Sequence, residues 1–150
     1  MKNVSTNDVL NRLLVLHNRS LPMYLANAVP WTRIGNEHAI EVLGQIVADQ
    51  RHTVDRIGEM ITESGGDVDV GEFPMVFTAY NDISFDFLLG LLITRQKREL
   101  AAIEQCLAQL GSAPLAKALA EEARGAALGH LDSLQELQPS ALAVSSHGTV

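Results

Sequence analysis

Cysteine is almost absent from this chain of 150 residues: Cys106 stands alone, so no disulfide can close within it. Such a chain is held by burial, and a reducing cytoplasm fits this use of cysteine. Aromatic residues make up only 5%, and runs that alternate β-branched and polar residues are nearly missing, which leaves little from which to build a sheet. Clusters of Lys or Arg are lacking too. The eleven that exist are scattered and outnumbered by 18 acids, for a net charge of −7. Phosphate binding needs grouped cations, so nucleic acid and anionic membrane surfaces are not expected partners. Residues 1–8 contain no apolar stretch of the kind a secretory leader needs. The longest interior apolar run, 91–93 with 87–89 just before Gly90, falls far short of the roughly 20 residues that span a bilayer. No Ser–His–Asp or Cys–His grouping shares one helical face, and no glycine-rich phosphate loop occurs. Nucleophilic and phosphate-loop enzymes are therefore not expected.

What is present is apolar residues at helical spacing. At 47% hydrophobic residues the chain has enough for one core, so a single domain over 1–138 is expected, with 139–150 a disordered tail. The pattern predicts four helices. The first starts at a capping box, Ser5 with Asp8, and follows Leu10, Leu13, Leu14, His17, Leu21, Tyr24, Leu25 and Ala28 with a kink at Pro22. The second, capped by Asn36, has the seam Ile40, Leu43, Val47, Gln50, Val54, Ile57 and Ile61 and stops at Gly65 and Gly66. A long connection with a short extended piece follows. Asn81 or Asp82 then caps a third helix with the seam Phe85, Leu88, Leu92, Arg95, Glu99, Ile103, Cys106 and Leu110. Ser112 caps the fourth, with Pro114 in its first turn and a seam of Leu115, Leu119, Ala123, Ala126, His130, Leu134 and Leu137. Short links within each helix pair and one long crossover between the second and third helices describe an all-α bundle of two antiparallel hairpins.

Several polar residues fall inside these apolar stripes. His17, Gln50 and His130 are central in theirs, Thr53 lies about 60° from Gln50, and Arg95 and Glu99 are one turn apart. Buried polar groups cost a few kcal/mol each unless paired, so this many at one level predicts a shared network or a metal. Asp49 points about 100° and His52 about 160° from the second stripe, which predicts solvated outer-face residues. His38 and His147 carry no expectation.

The segments 48–57 and 126–134, with His17 seven residues before Tyr24 and Glu99 on the third helix, give the chain a resemblance to the ferritin-like superfamily, especially bacterioferritin- and rubrerythrin-type domains. Where that pattern has Glu before Tyr on the first helix, Glu on the third and Glu-x-x-His on the second and fourth, this chain has His17, Glu99, Gln50-x-x-Thr53 and Ala127-x-x-His130. The resemblance implies a ferritin-like four-helix bundle with most di-iron ligands replaced, and self-association, most simply as a dimer. One carboxylate cannot neutralise and bridge two iron ions, so neither a ferroxidase, an iron store nor a di-iron oxygenase is expected.

Three readings of the altered site follow. The first is a non-enzymatic or accessory bundle without cofactor, in which Arg95 pairs with Glu99, alongside His17 and His130, and Tyr24 adds a hydrogen bond; it acts through self-association or a protein partner. The second is a mononuclear metalloprotein holding one Fe or Zn with His17, Glu99 and His130, and with Gln50 and Thr53 around it. The third is a small-ligand pocket. DinB- and hemerythrin-type metal bundles are disfavoured, because their multiple histidines on single helices are missing. Gly125 and Gly129 beside His130 mark either close helix packing or a cavity left at Ala127, and Gly90 reads alike. Gly44 and Gly58 weaken their helix by roughly 1 kcal/mol each. Cys106 is expected as a buried, inert thiol. Trp31, Pro30, Phe73, Met75, Phe77 and Tyr80 are the aromatic-rich candidates for covering a core end or an interface.

Overall fold

The computed structural model describes residues 5–28, 30 and 37–138. The expected cap at Asn36, Trp31, His147 and the tail 139–150 lie outside the described residues. Among the described residues every regular element is helical and no strand occurs. The fold is all-α.

Helix α1, Thr6–Asn18, starts where Ser5 Oγ accepts the Asp8 N–H at 3.1 Å, satisfying one of the first-turn donors. It buries Val9, Leu10, Leu13, Leu14 and His17. The predicted kink at Pro22 is instead a full break. The chain leaves the helix at Arg19, and Ser20 caps a second, five-residue helix α2, Leu21–Leu25, accepting the Met23 N–H at 3.3 Å. Inside one continuous helix Pro22 would lose a bond and clash with the carbonyl four residues back. In the first turn of a new helix neither cost arises.

Helix α3, Glu37–Glu63, buries Leu43, Ile46, Val47, Gln50, Ile57 and Ile61 on one face. Its end is a Schellman turn: Gly66 N–H donates to Ile61 O at 2.9 Å and Gly65 N–H to Thr62 O at 3.0 Å. Gly65 takes φ +83°, a region glycine enters without strain. Helix α4, Phe85–Ala108, starts after Ser84 rather than at Asn81 or Asp82. Asn81 is otherwise engaged, accepting the Tyr24 hydroxyl at 2.7 Å, and Asp82 has φ +62°. Helix α5, Pro114–Glu136, begins after Ala113 rather than Ser112.

The connection between α3 and α4 contains no strand; its one regular element is a 3₁₀ turn, Met75–Tyr80. It runs along α1, whose polar side chains satisfy its backbone. Asn11 exchanges two bonds with the backbone of Asp69 at 3.0 and 2.8 Å, and Asn18 donates to Val70 O at 3.0 Å. Arg19 Nε donates to Val70 O and Gly71 O at 3.1 and 3.0 Å. In effect α1 lends the connection the partners that a neighbouring strand would supply.

Helix α1 packs on α3 and α4 packs on α5, and the apolar residues between them form two clusters. One contains Leu10, Leu13, Leu14, Ile57, Ile61, Ile103, Cys106 and Leu119. The other contains Leu21, Leu25, Leu43, Ile46, Phe77, Phe85, Leu88, Leu92 and Leu134. Along each helix a buried polar residue separates the two: His17, Gln50, Gln96 and His130. Two registers differ from the sequence reading. Leu115 is 79% exposed while Ala116 is buried. On α4, Gln96 rather than Arg95 faces inward, because Gln96 lies about 40° from Leu92 around the helix and Arg95 about 60° to the other side.

A closed polar layer as candidate functional site

His17, Gln50, Thr53, Glu99, Ala123, Ala126, Ala127 and His130 surround one gap between the helices, with no room in it for a water-sized sphere. The structure thus brings together His17, Glu99 and His130 with Gln50, Thr53 and Ala127. Arg95 and Tyr24 it places elsewhere. The Arg95 guanidinium stands 4.6 Å from the centre of the Phe77 ring, a cation–π contact, so the expected Arg95–Glu99 pair is replaced. Its position at the edge of the α4 stripe lets the long side chain swing out to the 3₁₀ turn. Tyr24 leans on Phe73 and Phe77, with ring centres 5.4 and 5.6 Å away, and its hydroxyl goes to Asn81.

Each polar side chain in the layer is held by its own helix or a neighbour. His17 Nδ1–H donates to Leu13 O at 2.8 Å, which fixes the tautomer and leaves Nε2 as the lone pair. Burial lowers the His17 pKa, the Leu13 carbonyl opposes this, and nearby His130 adds to the lowering. Gln50 is the hub. Its Oε1 accepts the Ser20 hydroxyl at 2.6 Å, and its Nε2 donates to Glu99 Oε2 at a long 3.4 Å. Thr53 donates its hydroxyl to Asp49 O one turn back at 3.1 Å. Gln96 Nε2 donates across to Ala127 O at 3.0 Å, joining α4 to α5.

Glu99 is the exception. Its Oε1 is sealed from solvent without a hydrogen-bond partner, and burial alone pushes its pKa up to about 8. Among the described residues no cation offsets the charge, so the carboxyl is held protonated near neutral pH.

Asp49 stays partly solvated, as expected, but makes an unexpected contact: its Oδ2 accepts the His130 Nε2–H at 2.8 Å. Burial of Ile46 skews the α3 stripe toward the side on which Asp49 lies, and its side chain, 42% exposed, reaches α5 from that border. His52 is exposed. Gly125 and Gly129 neither pack closely nor line the gap; a Cβ on either would meet open space, as it would at Gly90 and Gly44. Ala127 sits in the wall as a small residue, and the gap it leaves is closed by its neighbours. The sequence reading missed Ser20, Gln96 and Asp49. Ser20 carried a readable signal, since Ser followed by Pro two residues later is a helix start.

The donor set does not fit a di-iron centre, with Glu99 the only carboxylate in the gap's lining. Among the described residues no group of three or more His, Cys, Asp or Glu side chains converges to hold a metal ion. No family model matches the chain, and no curated protein or solved structure matches it either.

Proposed function

We propose that this chain is a ferritin-like four-helix bundle, with α1 and α2 together as the first helix. Its di-metal centre has given way to a closed polar layer in which Glu99 is held neutral, and it works as a non-enzymatic or accessory protein in a reducing compartment. The observation that carries this reading is Glu99: a carboxyl whose Oε1 is sealed, with no cation beside it among the described residues, in a gap too tight for water. The path of the α3–α4 connection along α1 supports the crossover topology. Function then lies in association with a second copy or a protein partner. Met75, Phe87 and Leu115, at 85%, 61% and 79% exposure, offer apolar contacts for it.

A second reading, one Fe or Zn on His17, Glu99 and His130, has a specific support. Both imidazoles are held from behind, one by a carbonyl and one by a carboxylate, as metal-bound histidines are. It requires the three side chains to converge from their present positions. Metal analysis by mass spectrometry, after loading with Fe²⁺ or Zn²⁺, separates the two. The polar-layer reading predicts well below one ion per chain, with no change in His17→Ala. About one ion per chain, lost in His17→Ala and His130→Ala, would establish the metal reading instead.

A further inference from the structure

Glu99 lines a second cavity besides the closed gap. An open cleft of about 380 Å³ lies between α1, α2, the 3₁₀ turn and α4, within the size range of small-molecule sites. Its walls are apolar: Val15, Leu16, Leu21, Leu92, Phe77 and Ala102 are among them. Three of the chain's eleven cationic side chains, Arg19, Arg95 and Arg98, line it as well. Two acids accompany them, Glu72 and Glu99. Arg98 is exposed and Arg95 lies over the Phe77 ring; no carboxylate among the described residues pairs with either. Arg19 is anchored through Nε to the connection and stacked 4.7 Å from the Phe73 ring. In a chain of net charge −7, an apolar cleft with three guanidinium groups and two of them unpaired is locally positive.

We propose that this cleft binds a small amphipathic carboxylate. The ionised head is taken by Arg95 and Arg98, and the apolar body lies along Leu16, Leu92 and Phe77. Guanidinium groups suit this head, because their planar forks match a carboxylate. The site goes beyond the metal-free reading of the layer and does not rest on it: the cleft is a separate cavity from the closed gap.

The test is calorimetric titration of the full-length chain with octanoate, octan-1-ol and octylammonium, with amide NMR shifts locating the site. Saturable binding of one octanoate per chain is expected, with shifts at Leu16, Leu92 and Ala102. The alcohol should bind more weakly and the ammonium not at all. Arg98→Gln, an exposed change that leaves the core intact, should weaken octanoate about tenfold, the size expected for one charge-assisted contact. Arg95→Gln should do likewise. Octylammonium binding as tightly as octanoate would make the cleft a cation site at Glu99 and overturn the proposal. So would octanoate binding unaffected by Arg98→Gln, shifts mapping elsewhere, or no saturation by any of the three.

Discussion

Glu99 enters the polar layer as a carboxyl whose acidity is set by what is missing around it. Its pKa is raised to about 8 against an ordinary 4.5, so the folded state holds a proton that the unfolded chain has released. Stability should therefore fall as pH rises between these values, by up to about 1.4 kcal/mol per unit. His17 acts with the opposite sign. Its lowered pKa keeps the folded state neutral while the unfolded chain takes up protons below about 6.5, so its contribution fades as pH falls. The two slopes oppose each other below pH 6.5, and only Glu99 acts from there to about pH 8. Denaturant midpoints should be nearly level at mildly acid pH and drop above it. Glu99→Gln keeps the shape and removes the charge. It should abolish the drop and raise stability at pH 8 by about 2–4 kcal/mol. An unchanged drop in Glu99→Gln would assign it to another group.

Helix α2 shows how one residue joins element to element. Ser20 both caps α2 and hydrogen-bonds Gln50 in α3, so Ser20→Ala should cost about 1–3 kcal/mol in chemical denaturation, more than a surface cap alone. On α5 the register makes a sharp contrast. Leu119→Ala, in the core, should cost about 2–5 kcal/mol, whereas Leu115→Ala at an exposed position should fall within about 0.5. Equal effects would mean that α5 is rotated.

Existence and type of the long helices were legible in the three- and four-residue spacing, and His17, Gln50, Glu99 and His130 followed because each lies near the middle of its stripe. Stripe edges were not legible. Arg95, Gln96 and Asp49 all lie where a side chain turns in or out according to the neighbouring helix, which a single helix's periodicity does not contain. Helix starts at Ser84 and Pro114 were displaced for a similar reason, since several capping residues stood in line and tertiary bonds such as Tyr24–Asn81 decided among them.

Across the whole molecule, two apolar clusters are divided by one polar layer, and no described helix is long and apolar enough to cross a membrane. The layer interrupts what would otherwise be a continuous core. Its hydrogen bonds offset part of the cost of burying polar groups, yet Glu99 Oε1 remains unmatched. Such a centre is tolerated only because Glu99 is protonated and His17 uncharged. The layer therefore depends on the charge state of one carboxyl. The most direct test is an NMR titration of the Glu99 side-chain carboxyl carbon from pH 4 to 10, with Glu99→Gln to assign the signal. A midpoint near 8 is the predicted result. A midpoint at or below the ordinary 4.5 would mean that a cation or metal ion sits beside Glu99, and would contradict a layer built around a neutral Glu99.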